Sequence, residues 1–573
     1  MLPVRGEKVR QVWTDLRADE NIEAEGNSHV INWRRHRLHR APWVNRLVLL
    51  PVLSGLFVMG QALPAFASLP EVTSPLATQH EIEANPPIAV PATTSCTEQI
   101  MSHTFANSYG QPYTGPYVPP PDCPGPWSKV VLTFTATVGG DQYDRMVEIT
   151  LGHAIFLEGS TSEPCCTGDN SVTWTVQRDV TQYSSLLSQP QSVLVELDNV
   201  YNSTYDGEYV TTASLTFYDS TAKVPAAAVP SAVVPLTGTP LYDLSSAGQQ
   251  AGTTVKFPSS LVGLTAELFA DGHGPCEEFW WGDPNSCAGT PYREVAVYID
   301  GQLAGAAPVY PTTFTGADGP QFWEPIPSPR AWDLRPYDVD LTPFVGELVD
   351  GQPHTFTLGV LGATYTSGDY WQLGANLLES TDPGQVTSGG VTTVDAPAHP
   401  ANDIASGAVT YSDDASHDLK FSGYIIGTGG ARVVTTVTDT MGEQASQTPA
   451  TTDGVWSWDQ KVTTSGVGPT STVDTDLGYG LQSVDLSRYS FIDKGTTTTT
   501  VGGKVTALSS FMESMTTSAV IETVNGIESE AYSAQNADGS CYRHVLQSDA
   551  GEIIVNQLSD ACTGPLDVLT NLS

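Results

Sequence analysis

Positively charged side chains are scarce in this chain, which has 24 Lys and Arg against 63 Asp and Glu and a formal net charge of −39. A surface this acidic repels phosphate backbones, which argues against nucleic-acid partners. Charged residues of both signs make up only 15% of the 573 residues, whereas there are 52 Gly and 41 Pro. That composition favours strands and loops over long surface helices, and the length allows three or four domains.

The familiar catalytic signatures are also missing. The chain has no G-x-S-x-G, no H-E-x-x-H, no P-loop, no Rossmann glycine pattern and no C-x-x-C pair, and its histidines are scattered. We therefore expect neither a metal nor a cofactor. Carboxylates, tryptophan and tyrosine remain plentiful, and the chemistry they support is hydrolysis in which a carboxylate activates water.

Long apolar runs are absent beyond the N-terminal region. The run from Leu47 to Met59 follows basic residues within 34–46 and precedes Ala65-Phe66-Ala67. This pattern predicts a secretory signal cleaved after Ala67, and hence a secreted protein with no stable membrane span. The residues ahead of it indicate a long n-region or a misplaced start codon, and an uncleaved N-terminal membrane anchor is the alternative.

All eight cysteines follow the predicted cleavage site, and an even number in an exported chain indicates disulfides. Proximity in the sequence favours three short loops closed by Cys96–Cys123, Cys276–Cys287 and Cys541–Cys562. The adjacent Cys165 and Cys166 would then form a strained vicinal bridge, or the pairing differs.

Changes in composition divide the chain into six segments. They are an N-terminal extension with the signal (1–67), a flexible lead-in (68–95), a first β-sandwich (96–222), a Pro/Ala-rich linker (223–250), a second β-sandwich (251–392) and a Thr-rich antiparallel β region (393–573). Short alternating runs such as KVVLTFTATV (129–138) and REVAVYIDG (293–301), separated by Gly, Pro, Asp and Asn, predict an all-β protein. The best helix candidate is only about two turns long, at 183–189.

A stretch from Asp271 to Gly301 combines acids and indoles in a loop between Cys276 and Cys287. Such a mixture suits sugar binding, because aromatic faces stack on pyranose rings and carboxylates accept hydrogen bonds from hydroxyls. Its candidate residues are Glu277, Glu278, Trp280, Trp281 and Asp283. The alternative is a disulfide-tied surface loop whose tryptophans plug the domain below it.

Two other acidic clusters compete with this loop. Asp144 is followed by Arg145, which can keep the carboxylate ionised and oriented, although a structural ion pair at a sandwich edge explains the pair as well. Asp333, Asp338 and Asp340 form the other cluster, for which capping and turn roles are the better explanation.

Several runs of the chain together resemble the peptide:N-glycosidase A family, the peptide-N4-(N-acetyl-β-glucosaminyl)asparagine amidases. They include YDRMVEITLGHAIFLEGSTSEP (143–164), HGPCEEFWW (273–281), WDLRPYDVDLTPF (332–344) and ADGSCYRHV (537–545). The resemblance covers about residues 95–570 in order. The chain departs from it at Cys165-Cys166, in the Pro-rich stretch 109–126 and in the long N-terminus.

The resemblance implies two adjacent jelly-roll-like β-sandwiches with the active site at their junction. The alternation of Thr and Ser with Val after Pro400 separately predicts that a C-terminal β-rich region follows them. It also implies hydrolysis of the amide between N-acetylglucosamine and asparagine in N-glycosylated peptides or denatured glycoproteins, which releases a glycosylamine and leaves aspartate. The implied catalytic residues are Asp144, Arg145, Glu278 and Glu277. The implied substrate contacts are Tyr143, Trp280, Trp281, Asp283 and Arg293.

Two other functions use the same features. A non-catalytic glycan-binding or adhesive protein would also carry tryptophan loops and a Thr-rich sheet, and a glycoside hydrolase that cuts within the chitobiose would use the same carboxylates. The Asp144-Arg145 pair and the double acidic loop favour the amidase.

Overall fold

The computed structural model describes 72–73, 88–163, 171–236, 241–278, 280, 292–309, 312, 314, 331–384, 386–406, 411–428, 430, 432–452, 455–475, 481–500, 505–525, 528–549 and 552–560. Side chains are described between 88 and 401 and between 412 and 443, within those ranges. Strands dominate, as the sequence predicts, and the few described helices are single turns. Among the described residues, none of these helices has the length and apolar character needed to span a bilayer.

The first sandwich is an eight-stranded jelly roll. A two-residue strand, β1 (Val72–Thr73), precedes it and pairs with 557–558. Its own strands are β2 (Ser95–Phe105), β3 (Tyr113–Tyr117), β4 (Trp127–Val138), β5 (Met146–Leu151), β6 (Ala154–Ser160), β7 (Val172–Asp179), β8 (Gln191–Leu197) and β9 (Tyr209–Asp219). The two sheets run β2-β9-β4-β7 and β3-β8-β5-β6, which is the alternation of strands between sheets that defines a jelly roll.

The second sandwich repeats this strand order. Its strands are β10 (Ala232–Pro235), β11 (Tyr242–Leu244), β12 (Ala251–Val255), β13 (Leu261–His273), β14 (Glu294–Ile299), β15 (Gln302–Pro308), β16 (Tyr337–Asp340), β17 (His354–Leu361) and β18 (Tyr370–Thr381). One sheet runs β10-β18-β13-β16, with β11 also on β18, and the other runs β12-β17-β14-β15. The predicted pair of jelly rolls is therefore confirmed by the strand order itself.

The predicted linker at 223–250 is partly wrong, because β10 and β11 lie within it and both pair with β18. Val233 and Leu244 on these strands are buried, as are Leu236 and Leu241 next to them. A Pro-containing strand is tolerated at the edge of a sheet, which is where β10 lies.

The two sandwiches also share a local motif. In the first, a 3₁₀ turn (Thr181–Tyr183) leads into α1 (Ser184–Leu187), and in the second a 3₁₀ turn (Thr342–Phe344) leads into α2 (Val345–Leu348). Each turn begins at an aspartate: the Oδ1 of Asp179 accepts from the Thr181 N–H at 3.0 Å, and that of Asp340 from the Thr342 N–H at 2.9 Å. The helix predicted at 183–189 is thus a single turn, and Asp340 has a turn role, one of the two roles predicted for its cluster.

The C-terminal region forms an extended antiparallel sheet, as predicted. Its strands are β19 (Val386–Asp395), β20 (Ala401–Ser406), β21 (Tyr411–Gly427), β22 (Arg432–Thr452), β23 (Val455–Thr475), β24 (Leu481–Thr500), β25 (Val505–Asn525), β26 (Glu528–Asp549) and β27 (Glu552–Asp560). They run β1-β27-β26-β25-β24-β23-β22-β21-β19, with β20 on β21. Leu419, Phe421 and Met441 from this sheet join the core of the second sandwich.

Buried polar contacts join the two sandwiches. The side-chain amide of Asn376 on β18 accepts from the Ile155 N–H at 3.0 Å and donates to the Ile155 carbonyl at 2.9 Å, as a neighbouring strand would. Beside it, the Tyr183 hydroxyl donates to Glu267 at 2.6 Å. Because Asn376, Tyr183 and Glu267 are buried, these bonds form away from water.

Cys96 and Cys123 are disulfide-bonded, as predicted. Cys276 is also in a disulfide, and its predicted partner Cys287 lies outside the described residues. Cys165, Cys166 and Cys562 lie outside them as well, and no side chain is described for Cys541.

Replacing Asn376 by leucine is expected to destabilise the protein by about 2–4 kcal/mol, because the N–H and C=O of Ile155 would both stay buried without a partner. Chemical denaturation measures the loss. Gln372→Leu, on the same strand but bonded at the surface to Asp243, is the control and should cost less than about 0.5 kcal/mol. Equal effects of the two changes would contradict the role given to Asn376.

His417 on β21 links the C-terminal sheet to the second sandwich, and this link is expected to depend on pH. Its Nδ1 lies 2.7 Å from Glu294 and its Nε2 lies 2.8 Å from the Pro397 carbonyl, so both nitrogens face acceptors and the cation is favoured. Burial lowers the pKa of His417, but the bond to Glu294 outweighs it and raises that pKa above its ordinary value.

A raised pKa in the folded state means that the stabilisation is complete below the unfolded-state value and is lost as the pH rises through the folded-state value. The difference in denaturation midpoint between wild type and His417→Gln should therefore be larger at about pH 5.5 than at about pH 8.5. A difference that grows with pH would be the contrary result.

Candidate active site

The first sandwich presents Tyr143, Asp144 and Arg145 in the segment just before β5. Hydrogen bonds fix this backbone on both sides of Asp144. The Arg145 N–H donates to Thr161 Oγ1 at 2.8 Å, and the Tyr209 hydroxyl donates to the Tyr143 carbonyl at 2.7 Å. Since the Tyr209 side chain is fully buried, the core of the sandwich holds Asp144 in position.

Gln142 organises the same segment, and no motif in the sequence indicates this role. Its side chain is buried and donates to the Gly207 carbonyl at 3.0 Å. Its Oε1 accepts from Arg145 Nη2 at 2.7 Å and from the Tyr143 N–H at 3.0 Å. The Arg145 guanidinium also lies 5.4 Å from the centroid of the Tyr143 ring. Arg145 therefore braces the loop that carries Asp144.

Tyr143 forms an aromatic pair with Tyr205. The ring centroids are 4.5 Å apart and the Tyr205 hydroxyl donates to the Tyr143 hydroxyl at 2.6 Å. Both side chains are half-buried, so part of their apolar surface is accessible beside Asp144.

In the second sandwich the chain folds back tightly after β13, and Asp369 holds the turn. Its Oδ1 accepts from the backbone N–H groups of Cys276 at 2.8 Å and Glu277 at 3.3 Å. Gly274 has a φ of +100°, which favours glycine, and its carbonyl accepts from the Glu278 N–H at 3.4 Å. The turn therefore places Glu277 and Glu278 against the end of β13.

Glu277 lies inside the sandwich in a satisfied hydrogen-bond network. Arg293 donates to it through Nε at 2.8 Å and Nη2 at 2.9 Å, the Trp371 indole donates at 2.7 Å, and the Thr364 N–H donates at 2.9 Å. Glu277 and Arg293 are both buried. A buried ion pair is stable when it is bidentate and its remaining acceptor sites are also hydrogen-bonded, as they are here. Glu277 and Arg293 therefore stabilise the loop.

Trp280 is also buried, with 5% of its surface exposed, and belongs to the core of the second sandwich. The Arg293 guanidinium lies 5.7 Å from its ring centroid. The interpretation in which the tryptophans plug the domain below therefore describes Trp280, which has almost no face left for a sugar. Trp281 and Asp283 lie outside the described residues.

Glu278, unlike its neighbour, is only partly buried, and its charge interacts with that of Asp144 in the first sandwich. Burial raises the pKa of Glu278 to about 7; the negative charge of Asp144 adds to this shift, and the positive charge of His273 opposes it. One carboxylate from each of two of the three predicted clusters is thus close enough for their charges to interact, and the raised pKa keeps a proton on Glu278 under acidic conditions.

Further carboxylates that sequence reasoning missed lie behind this pair. Glu148 and Glu158 on strands β5 and β6 and Asp271 on β13 are all buried. Burial raises the pKa of Glu148 to about 8, helped by the charges of Glu196 and Asp271. Burial, followed by the charge of Asp271, holds the pKa of Glu158 well above its usual range.

The alternation of β5 and β6 could have suggested that these acids lie on buried strands, but no local sequence pattern shows that Asp271 faces them. Within the described part of the chain, no group of three or more His, Cys, Asp or Glu side chains is arranged to hold a metal ion. The other acidic cluster has structural contacts: Asp333 accepts from Arg335 Nε at 3.2 Å.

Comparison with known proteins agrees with these features. The chain is 32% identical over 326 residues to peptide-N4-(N-acetyl-beta-glucosaminyl)asparagine amidase A of Prunus dulcis, covering 52% of this chain and 56% of that protein. The chain thus spans about half the length of this curated relative.

Solved structures with a similar fold include PNGase F, a glycosylasparaginase from Flavobacterium meningosepticum, at 13% identity and a TM-score of 0.36, covering 50% of this chain and 96% of that one. Another is PNGF-II, at 14% identity and a TM-score of 0.37, covering 50% and 65%. With scores this low, the jelly-roll assignment rests on the strand order described above.

The profile of the family described as peptide N-acetyl-beta-D-glucosaminyl asparaginase amidase A matches residues 82–397, which span both sandwiches. Because this match covers more than half of the 573 residues, the chain belongs to the peptide N-acetyl-β-D-glucosaminyl asparaginase amidase A family.

Proposed function

We propose that this protein hydrolyses the amide between N-acetylglucosamine and asparagine in N-glycosylated peptides or denatured glycoproteins. The proposal is supported chiefly by the charge interaction between Asp144 of the first jelly roll and Glu278 of the second, which adds to burial in raising the pKa of Glu278 to about 7. Amide hydrolysis needs a base for the water and an acid for the leaving nitrogen, and two carboxyl groups in different environments meet both needs.

In the proposed reaction, Asp144 accepts a proton from a water molecule whose oxygen attacks the asparagine side-chain carbonyl carbon. The carbon–nitrogen bond then breaks as Glu278 gives its proton to the nitrogen, so that the glycan leaves as a glycosylamine. The asparagine becomes aspartate, and proton exchange with solvent restores both carboxyl groups. Arg145 contributes by bracing the loop that carries Asp144, through its bond to Gln142.

The substrate contacts of the proposed site come from half-buried groups. The Tyr143–Tyr205 pair provides an aromatic surface beside Asp144, on which the apolar face of a core sugar can stack. Trp281 and Asp283 remain proposed contacts. Glu277, Trp280 and Arg293, which bond to one another or to the core, are proposed to fix the loop instead of touching the sugar.

We further infer that the protein is exported and works in an oxidising compartment, with the signal ending at Ala67. The disulfide between Cys96 and Cys123 and the engagement of Cys276 in another support this inference, because disulfides persist in secreted proteins.

Asp144→Asn is expected to lower the rate of glycan release by about a hundredfold or more, because the water loses its base while the shape of the site is kept. Mass spectrometry of a defined glycopeptide measures release as conversion of the glycosylated asparagine to aspartate. Asp141→Asn, three positions away in the same segment, is the matched control and should stay near wild type.

The same assay separates the competing functions. A glycan-binding protein would leave the glycopeptide intact, and a hydrolase that cuts within the chitobiose would leave one sugar on an unconverted asparagine. If Asp144→Asn released the glycan at the wild-type rate, Asp144 would not be the base of the reaction.

Glu278→Gln should also lower kcat by about 10²–10⁴-fold, the usual contribution of a general acid. In the wild type, Glu278 must be protonated, so activity should fall as the pH rises through about 7. The residual activity of the variant should lack this basic limb. The control is Glu379→Gln, which alters another buried glutamate of the same sandwich with a raised pKa. This variant should keep the wild-type kcat and the fall in activity above about pH 7. A basic limb that survives in Glu278→Gln would reject the assignment.

A further inference from the structure

We propose that His273 is a positioning residue of this site: held by Asp271 and Tyr370 at the end of β13, its ring places a positive charge beside Glu278 and Asp144. The inference rests on the proposed function for its catalytic consequence. Its physical basis, the electrostatic link between His273 and Glu278, stands on the structure and is testable without an activity.

The ring of His273 is clamped in a fixed orientation. It stacks on Tyr370, with centroids 4.8 Å apart and planes 21° from parallel, and faces Phe314 at 5.9 Å and 8°. Its Nε2 contacts the Oδ2 of Asp271, which lies two residues earlier on the same face of β13. The His273 side chain is 12% exposed and that of Asp271 only 2%. Rotation of the ring would break both the stack and the Asp271 contact.

Two glycines bring Glu278 back to this ring. A Cβ on Gly272 would collide with the Glu277 backbone carbonyl, and a Cβ on Gly274 would collide with the backbone around Gly368 and Asp369. The chain can therefore double back immediately after His273 only because neither position has a side chain. As a result, Glu278 lies over the end of β13, where its charge and that of His273 interact.

Three carboxylates from different elements interact with His273. Asp271 lies on its own strand, Glu278 on the turn that follows, and Asp144 on the first sandwich, while Tyr370 on β18 covers the ring. Burial alone lowers the pKa of His273, but these three acids, led by Asp271, raise it above its ordinary value. His273 therefore stays cationic through the acidic range.

That cation acts on Glu278. Burial and the charge of Asp144 raise the pKa of Glu278, whereas the charge of His273 lowers it. Without His273, Glu278 would hold its proton to a higher pH and would be a weaker acid for the leaving nitrogen. His273 thus keeps Glu278 near the pH at which it can both hold and release a proton.

The first test is the pH dependence of kcat/KM in His273→Gln. Loss of the cation should move the basic limb upward by roughly half to one pH unit, in addition to any loss of rate. His354→Gln is the matched control, since His354 is also paired with carboxylates, Asp300 at 2.7 Å and Asp350 at 3.2 Å, but faces none of the site residues. It should leave the limb in place. A purely structural role for His273 predicts lower activity with the limb unmoved, and that result would overturn the proposal.

The second test uses NMR titration of the His273 ring and needs neither an active enzyme nor a folded His273 variant. In the wild type, the ring should titrate above the ordinary histidine value, and Glu278→Gln should lower its pKa because one facing charge is lost. An unchanged His273 titration in Glu278→Gln would overturn the proposal. If wild-type protein releases no glycan, the proposed function fails, and this titration alone then decides whether the link exists.

Discussion

The burial of acidic side chains between the two sandwiches is the constraint on which the proposed site depends. Glu148 and Glu158 from the first sandwich face Asp271 from the second, and all three are withdrawn from water. Carboxylates in such a place cannot all be ionised, because neither water nor a sufficient number of cations offsets their repulsion. The junction therefore retains protons to an unusually high pH, and Glu278 at its edge shares in that property.

The acidic junction also determines the conditions that suit the fold. Carboxyl groups whose pKa is raised in the folded state contribute most stability below their unfolded-state pKa, and they lose it as the pH rises through the folded-state value. Glu148 near 8, Glu278 near 7 and Asp439 near 7 act in this direction, and burial is the largest cause for each. The structure is thus better suited to acidic than to alkaline surroundings, in agreement with the strongly acidic composition.

Much of the architecture follows from the sequence, because alternating runs between Gly, Pro and Asp specify strands wherever they occur. The edge strand β10 was missed because Ala, Val and Pro have the same composition in a linker and in an edge strand. That both sandwiches are jelly rolls was predicted from the family resemblance and not from a repeat in the sequence, because the two sandwiches share little beyond an Asp-x-Thr start to one short turn.

The candidate site was harder to predict. Glu277 and Glu278 are neighbours in the sequence, yet only packing shows that Glu277 bonds to Arg293 and Trp371 while Glu278 faces Asp144. His273 lies within the sequence stretch from Asp271 to Gly301, but its proposed role depends on Asp271 and on Asp144 of the other sandwich. Such convergence is a property of the junction, and no local pattern encodes it.

The proposed chemistry depends on a Glu278 that carries a proton beside Asp144. Infrared difference spectroscopy of the wild type against Glu278→Gln, recorded as the pH is raised from about 5 to about 9, tests it most directly. We predict a protonated carboxyl band that is absent from the variant and disappears at about pH 7. A Glu278 carboxyl that is already ionised at about pH 5 would contradict the account.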